Sequence, residues 1–124
     1  MRLFWTPASP FTRKVSVALM ETGLWEKVDI VRTTWSLDWG YRTTAYTPGL
    51  AEANPVARIP TLVTDAGAAL GCSTLACQHV DALSGGRLTP ADPWPMWSLY
   101  AVADGMLEAQ ILMRAELLRP AEYR

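Results

Sequence analysis

Ile59-Pro60-Thr61-Leu62-Val63, followed by Asp65-Ala66-Gly67 and then Ala68-Ala69-Leu70, reads as a strand opened by a proline, a tight hairpin turn and a returning strand. Proline cannot donate to a ladder, so Pro60 suits a strand start or an edge. Downstream, Leu75, Ala76, His79, Val80 and Leu83 recur on one side of a helix expected over 73–83, which Ser84-Gly85-Gly86 ends. Upstream, Asn54-Pro55 is a turn signal. Residues 32–53 show neither a helical nor a strand period, and are expected to form a long loop with at most one short helix near Gly49 to Ala53.

At the N-terminus, Arg2 to Thr6 is a short apolar run closed by Pro7, a plausible buried strand. Ser9-Pro10 is a helix start, with Ser9 as N-cap and Pro10 at the first helical position. Phe11, Val15, Ala18, Leu19 and Thr22 keep helical spacing until Gly23. A second strand is expected over Lys27–Val31. Residues 87–93, with Pro90 and Pro93, read as a linker, and Trp94 to Leu118 as a long helix with Pro95 in its first turn and Pro120 beyond its end. A strand–helix–strand unit is a parallel crossover. With the hairpin it implies an α/β domain, a four-stranded mixed sheet with flanking helices.

Composition removes several classes of function. Half of the 124 residues are hydrophobic and 19% are charged, with a net charge of −1, which suits a packed core rather than disorder. Arg13, Lys14, Lys27, Arg58 and Arg114 are scattered, so no basic stripe exists for a nucleic acid. The N-terminal apolar run is too short for a signal-peptide core. No run of about 18 uncharged apolar residues exists to span a membrane. Cys72 and Cys77 fit neither a Cys-x-x-Cys pair nor a zinc half-site, and with one histidine no metal site is expected. Two free thiols suit a reducing compartment, with the cytoplasm as the expectation.

Four segments then carry a resemblance. Ser9-Pro10-Phe11-Thr12-Arg13-Lys14-Val15 resembles the first helix start of bacterial cytosolic glutathione transferases. Asn54-Pro55-x-x-Arg58-Ile59-Pro60-Thr61-Leu62 resembles the segment before their third strand, where a cis-proline stands. Asp65-x-Gly67-x-x-Leu70-x-x-Ser73 resembles their hairpin and third helix, and Ala103-Asp104-Gly105-Met106-Leu107-Glu108-Ala109 the first helix of their C-terminal domain. The resemblance implies a thioredoxin-like glutathione-binding domain over 1–84, a linker over 85–93, and over 94–124 the first helix of an incomplete, truncated all-α domain.

It also implies a site. Ser9 would be catalytic, donating a hydrogen bond to the glutathione sulfur at the positive end of a helix; without the resemblance, the favoured reading of Ser9 is a plain N-cap. Phe11, Arg58, Ile59, Pro60, Cys72 and Ser73 would contact glutathione. The peptide's cysteine would pair with the Ile59 backbone as an added strand, and Ser73 would hold the γ-glutamyl carboxylate. The bland readings are a trans Pro60 at an edge strand, a capping Ser73, a solvated Arg58 and a small buried Cys72. Cys72 departs from the family, which places an acid there to face the ligand's ammonium. Trp35, Trp39, Trp94 and Trp97 read either as core or as the lining of an apolar co-substrate site, while Cys77 and His79 read as ordinary helix residues.

The implied activity is conjugation of the glutathione thiolate to an apolar electrophile, as in detoxification, with glutathione as substrate and no metal. The alternatives are a non-catalytic binding module of the same fold and, less in keeping with Ser9, a thiol–disulfide reductase. The helix over 94–118 is apolar on most sides. It is therefore expected to be covered by further helices or by a second copy in a homodimer.

Overall fold

The computed structural model describes residues 1–33, 36–38, 41–43 and 47–123. Its elements in order are β1 (Arg2–Trp5), α1 (Pro10–Glu21), β2 (Asp29–Arg32), β3 (Ser36–Asp38), β4 (Tyr41–Thr43), α2 (Leu50–Ala53), β5 (Thr61–Val63), β6 (Ala69–Leu70), α3 (Ser73–Leu83) and α4 (Trp94–Leu118). The main sheet runs β2-β1-β5-β6. β1 pairs in parallel with β2, and antiparallel with β5, which pairs antiparallel with β6. This is the mixed, thioredoxin-like α/β sheet expected from the sequence.

One face of the sheet carries the core. Leu3 and Leu62, cross-strand partners, are fully buried against Val15, Ala18 and Leu19 of α1 and Ala76 and Val80 of α3, with Val28 at the margin. Strand alternation turns Phe4 and Thr61, the next cross-strand pair, to the opposite face. There Gly49, whose φ of +80 suits glycine, lies beside the tip of the Phe4 ring, and α2 buries Leu50. Helices thus cover both faces.

The structure departs from expectation in three places. Residues Trp25–Lys27 form a 3-10 turn, so β2 begins at Asp29 rather than Lys27. The segment expected to be a long loop contains the β3–β4 hairpin, registered Ser36↔Thr43 and Asp38↔Tyr41. Strands of three residues are too short to display a period. On α3 only Ala76 and Val80 of the expected apolar stripe are buried, whereas Leu75 and Leu83 are about half exposed. The helix is held by a narrower stripe because one neighbour, α1, and the sheet cover it.

α4 ends where Arg119, ahead of Pro120, takes the extended backbone that a following proline imposes. None of its residues is buried, and Trp94, Leu99, Val102, Leu112, Met113 and Leu117 stand open. No helix among the described residues is long and apolar enough to cross a membrane.

The linker into α4 is fastened by one carboxylate. Asp81, buried in the third turn of α3, accepts from the Leu88 amide at 2.7 Å and from the Thr89 hydroxyl. The Thr89 hydroxyl and then the Leu88 amide hold its carboxyl below the ordinary carboxylate value, against the opposing effect of burial. A depressed folded-state pKa gives stability that is present above the unfolded value, near 3.9, and lost as pH falls through the folded value. Asp81→Asn should therefore lower stability at neutral pH and flatten its decline below about pH 4. Urea unfolding from pH 7 to pH 2 measures this; parallel curves for the two proteins would exclude Asp81 as an acid-sensitive fastener.

Candidate functional site

Strand direction brings three chain segments to one end of the sheet. β1 leaves there toward Ser9. β5, antiparallel to it with Phe4 opposite Thr61, enters there from Ile59-Pro60. β6, antiparallel to β5 with Leu62 opposite Leu70, leaves there toward Cys72 and Ser73. A shallow surface cavity of about 310 Å³, lined by Met1, Arg2, Asp29, Val63, Thr64 and Asp65, lies at the other end of the sheet.

Ser9 is the N-cap of α1. Its Oγ accepts from the Thr12 amide at 3.2 Å, and the residue is only 5% exposed. That bond uses a lone pair and leaves the hydroxyl proton for another acceptor. Pro10 occupies the first helical position, and no acidic residue neutralises the positive end of the helix. Phe11 follows, partly buried.

The Ile59–Pro60 peptide bond is cis. Pro60 is buried, Ile59 partly so, and the Arg58 side chain is exposed. β5 itself starts one residue later than Pro60, which has no N–H to give a ladder.

Cys72 is the N-cap of α3 and is exposed, so it is not the small buried apolar residue of the bland reading. Its Sγ accepts from the Leu75 amide at 3.5 Å, and its carbonyl accepts from Ala76. The first-turn amides of Ser73 and Thr74 have no intrahelical acceptor, and α3 too has no acid in its first turn. The Ser73 side chain is buried.

Asn54 ties the second and third of these segments together, a role its turn signal gave no hint of. Buried behind them, its amide donates to Thr61 Oγ1 at 2.9 Å and to the Arg58 carbonyl at 3.4 Å, while its Oδ1 accepts from the Val56 amide at 3.1 Å. Thr61 Oγ1 in turn donates to the Arg58 carbonyl at 2.7 Å. Ala57 closes the turn at φ +50, a conformation that costs a non-glycine residue energy and persists only where its surroundings hold it. Gly71 rests directly on the Asn54 amide, where a Cβ would stand 2.9 Å from Nδ2.

A second cluster joins three helices beside the same end. Lys14 of α1 donates to Asp104 Oδ1 at 2.6 Å and to the Tyr100 hydroxyl, both on α4. Tyr100 also shares a 2.7 Å hydrogen bond with Thr74 of α3. Desolvation works against the Lys14 charge, but the hydrogen bonds it donates to Asp104 and Tyr100 outweigh it and raise its pKa above the ordinary value. Lys14 and Asp104 stand in segments that carry the resemblance, Thr74 and Tyr100 do not, and the sequence carries no signal that the four meet.

Trp35 and Trp39 lie outside the described residues. Trp94 is exposed and Trp97 stacks edge-on against Tyr100 at 5.4 Å, so neither is core. Cys77 is partly buried, and burial pushes its thiol up to about 11. Among the described residues no group of three His, Cys, Asp or Glu is arranged to hold a metal ion.

Comparison with known proteins adds the following. The family model of the glutathione S-transferase N-terminal domain matches residues 3–88. A glutathione transferase family member from Pseudomonas fluorescens Pf-5, crystallised with bound glutathione, is 36% identical and superposes with a TM-score of 0.82, covering 98% of this chain and 58% of that one. Its complex with S-(propanoic acid)-glutathione matches at 35% identity and a TM-score of 0.78, over 100% of this chain and 58% of that one. The uncharacterized GST-like protein YibF of Escherichia coli (strain K12) is 28% identical over 98% of this chain and 57% of its own length. The chain thus spans a little over half the length of these relatives.

Asn54→Ala should lower stability by about 1–3 kcal/mol, because it strips partners from buried polar groups. Urea unfolding with an unchanged m-value tests this. A loss below about 0.5 kcal/mol would mean that the turn ahead of β5 holds itself.

Proposed function

The chain belongs to the glutathione S-transferase family, and from that membership we propose that it binds glutathione and activates its thiol for conjugation to an apolar electrophile. The observation that carries this reading is Ser9, capping α1 with its hydroxyl proton still available, at the end of the sheet where Ile59-Pro60 and the start of α3 converge. The Pseudomonas fluorescens structures hold glutathione and S-(propanoic acid)-glutathione, which supports the same ligand here.

The site residues take these roles. The Ser9 hydroxyl donates to the sulfur and, with the positive end of α1, favours the thiolate. The Ile59 backbone pairs with the peptide's cysteine residue, flanked by Pro60 and Phe11. Ser73 and the free amides of the first turn of α3 hold the γ-glutamyl carboxylate. Arg58, exposed nearby, answers a carboxylate of the ligand. The thiolate lone pair then forms a sulfur–carbon bond as the electrophile's leaving group departs with its own pair. No metal takes part. The exposed apolar surface of α4 is the face for further helices or a second copy in a homodimer, and residues 1–84, 85–93 and 94–124 act as binding domain, linker and first helix of the helical domain. The compartment is the cytoplasm.

A second reading, a binding module without turnover, is favoured by one observation. Cys72 stands exposed where an acid would answer the ligand's ammonium, and its side chain has no carboxylate to do so.

Ser9→Ala should raise the thiol pKa of bound glutathione by about one to two units, the value of a hydrogen bond to a charged group. It should also lower stability by about 1 kcal/mol through loss of the cap. Ultraviolet titration of the bound thiol decides the first, and an unchanged pKa removes Ser9 from the mechanism. Cys72→Asp should tighten glutathione binding several-fold, about 1 kcal/mol at an exposed site. Calorimetry showing equal or weaker binding would mean that another group already answers the ammonium.

A further inference from the structure

We propose that Tyr100 of α4 is a positioning residue for the γ-glutamyl end of the glutathione site, acting through Thr74 in the first turn of α3. The inference rests on the reading of the site given above and extends it to a helix that supplies none of the named glutathione contacts.

The geometry is directional. Lys14 is an ammonium and only donates, so the Tyr100 oxygen accepts from it. The phenol proton is then free to go to Thr74 Oγ1, 2.7 Å away. Lys14 is itself held by Asp104 at 2.6 Å, and it lies over the Tyr100 ring, 4.3 Å from the centroid. Trp97 packs edge-on with Tyr100, 5.4 Å between ring centroids. Tyr100 is therefore held by both Lys14 and Trp97, and its hydroxyl reaches Thr74 on α3.

Thr74 directly follows Ser73, and its own backbone amide is one of the two in the first turn without an intrahelical acceptor. The N-cap at this helix start is weak: a thiol sulfur at 3.5 Å replaces the hydroxyl or carboxylate oxygen that such a position prefers. A poorly capped first turn frays unless something else holds it. The Tyr100–Thr74 hydrogen bond supplies that hold from outside the helix, so that the amides offered to a carboxylate keep one orientation. Ser9 does not lie on this route. Lys14 keeps its bond to Asp104 when the phenol oxygen is removed, so α1 retains its place.

The test uses the full chain under reducing conditions, with reduced glutathione as the probe. Tyr100→Phe, which keeps the ring over Lys14, and Thr74→Val, which keeps the shape, should each weaken glutathione binding in calorimetry about five-fold, the effect of one neutral hydrogen bond. Thr74→Ser should retain wild-type affinity. The double variant should lose no more than either single one, because both remove the same bond. The thiol pKa of bound glutathione should stay unchanged in all of them, which separates positioning of the γ-glutamyl end from activation of the sulfur. Wild-type affinity in both single variants would overturn the proposal while leaving the glutathione reading intact. So would an additive loss in the double variant, or a loss of affinity in Thr74→Ser equal to that in Thr74→Val. Absence of glutathione binding by the unmutated chain would overturn that reading and this inference with it.

Discussion

The antiparallel pairing of β5 between β1 and β6 is the constraint on which the rest of the structure depends. It sets Leu3 against Leu62 on the face that α1 and α3 cover, and Phe4 against Thr61 on the face that α2 covers. A slip of one residue would exchange the two faces and leave both cores unfilled. The same pairing directs the exit of β1, the entry of β5 and the exit of β6 to one end of the sheet. Core and candidate site are therefore two consequences of one register.

At that end the proposed site is built chiefly from backbone and small hydroxyls. Two helix starts without acidic residues offer partial positive charge, and a turn held by Asn54 presents the segment ahead of β5. Such a site does not depend on long side chains finding each other. It depends on helix starts being held in place, which is why buried Asn54, the tightly packed Gly71 and the Lys14–Tyr100–Thr74 cluster matter as much as any residue facing a ligand. Ser9 illustrates the economy: capping uses its lone pair and thiol activation would use its proton, so the two readings of the residue do not compete.

α4 stands apart from this order. It is apolar on most sides and none of its residues is fully buried, although Met96, Trp97, Leu107 and Ile111 are half-buried; hydrogen bonds from Lys14 to Asp104 and Tyr100, and between Tyr100 and Thr74, tie it to the domain. Polar contacts are directional and fix orientation, whereas apolar area carries most of the free energy of burial. The helix is oriented by the first and leaves much of the second exposed, at Leu99, Val102, Met106, Leu112, Met113 and Leu117.

The sequence by itself determined the elements with local signals. Ser9-Pro10 and Gly23 bounded α1, Ser84-Gly85-Gly86 ended α3, Asp65-Ala66-Gly67 turned the hairpin, and Pro95 and Pro120 bracketed α4, because capping, turn chemistry and proline act within a few residues. The resemblance led further, to the family and to the cis bond at Pro60, which no local pattern displays. The β3–β4 hairpin stayed invisible, since strands of three residues carry no period. Tertiary structure alone decided that Cys72 is exposed, that Leu75 and Leu83 leave the core, that Asn54 braces the turn ahead of β5, and that Lys14, Thr74 and Tyr100 meet. Each of these depends on which surface a distant part of the chain happens to cover, and that information resides in the packing of elements rather than in any one stretch of residues.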